Sequence, residues 1–261
     1  MPEGRAGLWR LGGLKIWLAR TDREWRFAVE RGASRDVSEV SFVPLDVLPE
    51  ALPWRRTAFP RAPRVFSLHP RIPDRPVVIP LPGRLSMQSG EKAEFTGVVP
   101  VWIEVLAGRK EARTVLGTAT ACELRDTWAG TPDEGRLLYA APASAVRAPE
   151  EPADMRDGIS AFFRLHCTGA AAVAVDHVCL DLRRAALYAE PHCLRVSSAD
   201  VALDGEDGRA TVAFDLNIPS RGASARRLAD PELSGPAEDW PLAALRGNAA
   251  EFQQLEGGLI Q

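Results

Sequence analysis

Lysine is nearly absent from this sequence. Lys15, Lys92 and Lys110 are the only lysines among 32 basic residues in 261 positions, and arginine supplies the rest. A planar guanidinium suits two-pronged recognition of carboxylate or phosphate, but in a chain this rich in Ala, Gly and Pro a GC-biased genome accounts for it. Excess charge of one sign is missing too: 35 acids against the 32 bases leave a net −3, with a pI of about 5.9. That excludes a global attraction to nucleic acid or anionic lipid, so such contacts would have to be local. No apolar run approaches the ~18 residues of a membrane span. Lys15 interrupts the stretch after Leu11 before a signal-peptide core develops. The expectation is a cytoplasmic protein with no membrane span and no nucleic-acid partner.

The usual marks of chemistry are lacking as well. Cys122, Cys167, Cys179 and Cys193 are widely spaced without a C-x₂-C knuckle, which reads as reduced thiols rather than a disulfide framework. Three of them lie beside histidine, in His166-Cys167, His177-Val178-Cys179 and His192-Cys193. Thiolate and imidazole are what zinc prefers. Adjacent residues of a strand point to opposite faces, however, so only His177 and Cys179 naturally share a side. His166, His177, Cys179 and His192 are therefore weak metal candidates, and the expectation is no metal and no cofactor. There is no serine elbow, zinc-binding helix, phosphate loop or dinucleotide fingerprint. The acidic Asp204-Gly205-Glu206-Asp207-Gly208 lacks the ligand order of a calcium loop and reads as a hairpin tip.

What the sequence does carry is a two-residue period. Leu14, Ile16 and Leu18 alternate with Lys15, Trp17 and Ala19, and Trp25, Phe27 and Val29 with Arg26, Ala28 and Glu30. This is the pattern of half-buried strands, with Thr21-Asp22-Arg23 as the turn between them. Residues 8–30 read as an antiparallel meander, with a weaker strand at 37–43. If so, Trp9, Trp17 and Trp25 each belong to a different strand, and cross-strand packing explains their spacing better than a surface row of indoles.

Prolines follow at 44, 49, 53, 60, 63, 70, 73, 76, 80 and 82. Each lacks an N–H and restricts the residue before it, leaving edge strands and extended connections. Residues 44–76 read as a surface connector. Between Ala51 and Pro76 six arginines, Arg55, Arg56, Arg61, Arg64, Arg71 and Arg75, face the single acid Asp74. Phosphates or an acidic partner would find a foothold there.

Short strand patterns resume at Val77–Leu81, Arg84–Met87, Ala93–Thr96, Val98–Leu106, Thr114–Leu124, Arg136–Ala141, Ile159–Cys167, Ala172–Leu182, Ala185–Ala189, Leu194–Leu203 and Arg209–Asn217. Even spacing of short strands marks a sandwich or barrel. Beyond Pro219 the period fades, and Pro241–Glu256 reads as one terminal helix closed by Gly257-Gly258. The domain reading is a meander over 1–43, a connector over 44–76, a β-sandwich region over 77–217 and an irregular tail with a helix over 218–261.

Two short segments carry the candidate ligand-binding residues. In Pro73-Asp74-Arg75-Pro76 the prolines stiffen both sides of a charged pair, so Asp74 and Arg75 stand on a corner at a strand entrance. That corner serves either as a clasp, with Asp74 accepting backbone N–H bonds and Arg75 pairing with a carboxylate elsewhere, or as a recognition point. In Leu124–Gly135, read as a loop, Trp128 sits among charges beside Asp126. The indole either plugs the end of the sandwich or stacks on a sugar, base or cation.

The order Leu68-His69-Pro70-Arg71-Ile72-Pro73-Asp74-Arg75-Pro76-Val77-Val78, then Ser89-Gly90-Glu91 and Val99-Pro100-Val101-Trp102-Ile103, resembles an uncharacterised prokaryotic family, domain of unknown function 432. Leu124–Gly135 with Leu137-Leu138-Tyr139, and Val178-Cys179-Leu180 with Leu187-Tyr188, are similar to it as well. The likeness runs over 8–217, departing at Leu81-Pro82-Gly83, where a Pro-Glu pair is expected. It implies one integrated unit and transfers no catalytic residue.

The reading is an all-β protein, an N-terminal antiparallel meander plus a β-sandwich with a short C-terminal helix. Its expected function is non-catalytic binding or protein interaction, with a homodimer through an edge strand as one possible assembly. A module for sugars or anions would use Asp74, Arg75, Asp126 and Trp128 together. A metal-dependent enzyme would use His166, His177, Cys179 and His192.

Overall fold

The computed structural model describes residues 5–11, 13–32, 40–109, 112–120, 124–129, 135–141, 146–147, 158–190, 193–216, 225–234 and 237–245. Strands dominate them, and the fold is all-β. The chain divides into two compact units, each drawn from separate stretches: Met1–Arg71 with Pro100–Glu123 and Met155–Gly158, and Ile72–Val99 with Leu124–Asp154 and Ile159–Gln261.

The first unit begins with the meander that period two predicts: β1 (Arg5–Leu11), β2 (Leu14–Arg20) and β3 (Glu24–Arg31), all antiparallel. Thr21 makes the β2–β3 turn by accepting the Glu24 N–H on its hydroxyl at 3.1 Å. β4 (Val40–Leu45) folds back beside β1, and β5 (Arg55–Ala58) pairs with β3, giving the order β4-β1-β2-β3-β5. A second sheet has the order β10-β9-β6, from β6 (Phe66–Arg71), β9 (Trp102–Ala107) and β10 (Thr114–Thr120). Leu14, Ile16, Leu18 and Trp25 are fully buried in this unit. The Phe66 ring meets Trp9 and Trp25 edge-on, with centroids 4.7 and 5.6 Å away. Gly117 lies so close under the Phe27 ring that no side chain fits.

The three tryptophans do fall on three different strands. The 44–76 segment, read as a connector, contributes β5 and β6, and both are edge strands, where missing proline N–H groups do least harm. The run Val98–Leu106, by contrast, is not one strand. Pro100 breaks it, and its halves join different units.

The second unit is also built of two sheets. One has the order β11-β12-β7-β15, from β7 (Val77–Met87), β11 (Arg125–Ala129), β12 (Arg136–Ala140) and β15 (Val173–Leu180). Pro80 and Pro82 are tolerated in β7 because β12 pairs only with Val77 and Val78, leaving the rest of that side open. The other, a nine-stranded sheet, centres on β14 (Ile159–Cys167). On one side of β14 lies β8 (Lys92–Val99), itself paired with the two-residue β13 (Val146–Arg147). On the other side β14 runs parallel first to β17 (Cys193–Val196) and then to β18 (Ser198–Asp204). The run read as Leu194–Leu203 is thus two strands, divided at the buried Ser197.

β16 (Leu187–Glu190) and β20 (Arg226–Ala229) extend the sheet beyond β17, while β19 (Arg209–Asp215) and β21 (Glu238–Pro241) extend it beyond β18. The Asp204–Gly208 hairpin tip joins β18 to β19 as expected, with Gly208 at φ 64°. The two sheets pack through Ile79, which lies 2.9 Å from the position a Cβ on Gly97 would take, and through the fully buried Phe163. The terminal helix is not found among the described residues. Leu242–Leu245 form a 3-10 turn, and 246–261 lie outside those residues. No helix among the described residues is long and apolar enough to cross a membrane.

Candidate functional site

The stiff corner at Pro73-Asp74-Arg75-Pro76 is tied to β12 by backbone and side chain alike. Pro76 has no N–H to give, but its carbonyl accepts the Tyr139 N–H at 2.9 Å, and Val78 accepts that of Ala141 at 2.8 Å. The Tyr139 hydroxyl donates to Asp74 Oδ1 at 3.0 Å, and the Arg75 guanidinium lies over the same ring, 5.2 Å from its centroid. Arg75 Nη1 then donates to Asp126 Oδ1 at 3.2 Å, and Asp126 is the direct cross-strand neighbour of Tyr139. Corner, β12 and β11 thereby form a closed ring of contacts around one phenol. Burial, the hydrogen bond to Asp74 and the charges of Asp74 and Asp126 push the Tyr139 phenol up to about 12, with Arg75 partly opposing them. Tyr139 therefore stays a hydrogen-bond donor at every physiological pH and is no general base or nucleophile.

Strand alternation sets which side chains share this face. Thr127 and Ala129 of β11 and Leu138 of β12 turn inward and are buried. Asp126, Trp128, Leu137 and Tyr139 share the other side, with Trp128 directly across from Leu137. The segment holding Trp128, read as a loop, is a strand through Ala129, because Arg125–Ala129 pairs in full register with Arg136–Ala140. Trp128 is half-buried. Asp74, Arg75 and Asp126 thus come together, with Trp128 two residues along from Asp126 on the same face. Tyr139, around which they gather, was not singled out by its chemistry. The available signal was its place in a strand pattern that can pair with Leu124–Ala129.

The weak metal candidates are placed otherwise. His166 lies on β14 in the nine-stranded sheet, whereas His177 and Cys179 lie on β15 in the other sheet. His192 is outside the described residues. His177 Nδ1 is 2.7 Å from Asp176 Oδ1. Burial, with the Glu238 charge adding to it, pushes the Cys179 thiol up to about 12. Among the described residues no group of three or more His, Cys, Asp and Glu side chains could hold a metal ion. Cys167, Cys179 and Cys193 are buried and form no disulfide among the described residues.

A second constellation was not legible beforehand: two buried carboxylates met by three arginines. Asp181, 1% exposed, accepts Arg183 Nε at 2.8 Å and Nη2 at 2.7 Å. Glu238 accepts Arg136 Nη1 on one oxygen, while its other, Oε2, is 3.9 Å from Arg184 Nε and makes no hydrogen bond among the described residues. Arg136 also lies over the Trp240 ring, 4.9 Å from its centroid. Burial and the Asp181 charge raise the Glu238 carboxyl above its usual range, against Arg136 and Arg184. The arrangement joins β12 to β21, and hence one sheet of the second unit to the other. Arg136 leaves β12 on the face opposite Tyr139.

No curated protein and no solved structure matches the chain at a significant level. One family model does match, across residues 2–239, and its description is a protein of unknown function (DUF432). With nearly the whole chain covered, from the meander through β21, the protein belongs to this uncharacterised family.

Proposed function

We propose that the chain is a non-catalytic, cytoplasmic binding module that holds a partner protein against the outward face of β11 and β12. Arg75, Asp126 and Trp128 make the contacts, and Asp74 is a positioning residue that acts through Tyr139. The observation that carries this reading is the closed ring around Tyr139. It fixes a cation and an anion in place while leaving the Arg75 and Asp126 side chains 37% and 48% exposed. Two opposite charges held beside a half-buried indole form a pre-organised recognition surface, which loses little entropy on binding. β11 is an edge strand, so a partner strand, including that of a second copy, would extend the sheet there.

A second reading has one observation in its favour. A carboxylate and an indole on one face are what a sugar uses, one for hydroxyls and one for stacking.

The test compares wild-type chain with Asp126→Ala and Trp128→Ala in pull-downs and in a thermal-shift screen against sugars and anions. A partner captured by wild-type protein and lost by both variants supports the interaction reading. Stabilisation by a sugar that both variants abolish moves the assignment to the second reading. Binding of any partner or sugar that ignores both substitutions overturns the site.

A further inference from the structure

The first unit carries a different surface, built around an arginine with no acid to answer it. Arg20, 3% exposed at the end of β2, forms no ion pair among the described residues. Its Nη2 donates to Ala62 O at 2.8 Å and its Nε to Pro63 O at 3.0 Å, while Nη1 is buried without a hydrogen-bond partner. A buried cation is ordinarily compensated by a carboxylate. Here it pins the chain segment that precedes β6. Ala62 N–H also donates to Asp22 O, and Phe59 N–H to Arg23 O, each at 2.8 Å. The segment is therefore laid along the β2–β3 turn, with exposed Arg61 and Arg64 on either side of the residues Arg20 grips.

The adjoining edge strand adds to the same charge. β5 brings Arg55 and Arg56, both exposed, and Arg56 stands directly opposite Arg26 of β3. Like charges in that relation repel, and Glu24 relieves them by accepting Arg26 Nε at 2.6 Å and Arg56 Nη2 at 2.7 Å. Glu24 is saturated by that task, and the turn contributes one further acid, Asp22. Arg23, Arg55 and Arg61 have no ion-pair partner among the described residues. β5 ends its sheet, so among the described residues one side of its backbone has no strand to pair with.

We propose that β5 and the Arg61–Arg64 segment form a docking edge for an extended acidic peptide segment of a partner protein. The peptide would add as a strand beside β5, its main chain pairing with the free edge and its carboxylates meeting Arg55 and Arg61 as bidentate partners. Peptide pairing uses both the backbone edge and the charge, whereas a nucleic-acid backbone uses the charge alone. This surface lies in the other unit from the Tyr139 ring, so either proposal stands or falls without the other.

Fluorescence anisotropy of the full chain tests it with a labelled hexapeptide alternating Glu and Val. Three further probes are the Lys–Val counterpart, a Glu–Val peptide with proline at its centre, and a single-stranded oligonucleotide. The Glu–Val peptide is expected to bind saturably and less tightly as salt rises. Arg55→Ala with Arg61→Ala, which removes two exposed charges without a partner to orphan, should weaken it about tenfold, while circular dichroism stays unchanged. Proline at the peptide centre should weaken it as well. No binding of the Glu–Val peptide, equal binding of the Lys–Val or proline peptide, tighter binding of the oligonucleotide, or indifference to the double substitution would each overturn the proposal.

Discussion

Tyr139 and Asp74 are 65 positions apart in sequence, yet the phenol of one donates to the carboxylate of the other across 3.0 Å. Because the phenol is pushed up to about 12 from an ordinary 10, the folded chain holds that proton more tightly than the unfolded chain does. The resulting stability is fully present below pH 10 and is lost as pH rises through about 12. A spectrophotometric titration should show a late-ionising phase, and Tyr139→Phe should abolish it. The same variant should cost about 1 kcal/mol in urea denaturation at neutral pH. A late phase that survives the substitution would overturn the assignment to Tyr139.

Arg75→Ala and Asp126→Ala should each change stability by less than about 1 kcal/mol, because the pair is half exposed and screened by solvent. Partner capture should nevertheless fall in both. Chemical denaturation and pull-down together separate a contact residue from a structural one: a large stability loss in either variant would reassign the pair to holding the fold.

Glycine at 117 is a packing requirement. A methyl group there would overlap the Phe27 ring, so Gly117→Ala should destabilise the first unit by about 1–3 kcal/mol. A two-residue repair, Gly117→Ala with Phe27→Leu, should recover part of the loss in thermal denaturation, and failure to recover any would place the cost in the backbone.

The Glu238 carboxyl is raised in the folded chain, so its ionised form costs stability above the unfolded carboxyl range, and the cost is relieved as pH falls below the folded value. Arg136→Ala removes its hydrogen-bonded partner and should destabilise by about 1–3 kcal/mol at neutral pH, with the penalty shrinking towards acid pH as Glu238 protonates. Glu238→Gln should be milder at neutral pH and flatter with pH. Identical pH profiles for the two variants would argue that the carboxylate is not what Arg136 compensates.

Local alternation carried much of the first sheet. Leu14, Ile16 and Leu18 against Trp25, Phe27 and Val29 were enough to place β2, β3 and the turn at Thr21, because neighbouring strands of a meander contain their own pairing rule. Partner choice across long separations was not legible. Nothing local tells Phe66–Arg71 to pair with Trp102–Ala107, or Ile159–Cys167 to run parallel to two successive strands. Leu124–Gly135 reads as a polar loop around Trp128, and only the pairing of Arg125–Ala129 with Arg136–Ala140 overrides that. Of the clasp expected at the corner, Arg75 does pair with a distant carboxylate, Asp126, whereas Asp74 takes its hydrogen bond from the Tyr139 hydroxyl and not from a backbone N–H. Asp181 and Glu238 are not legible in the sequence because single acids become informative only when arginines converge on them in the fold.

β12 presents Tyr139 to one face of its sheet and Arg136 to the other, only three residues away. A slip of one residue in its pairing would exchange those faces, sending the guanidinium towards the proline corner and the phenol towards Glu238. Neither fastening can then close, and a mispaired chain gains nothing from having half of the arrangement right. These five residues thus favour a single alignment of the sheet over its nearest competitors on both sides at once.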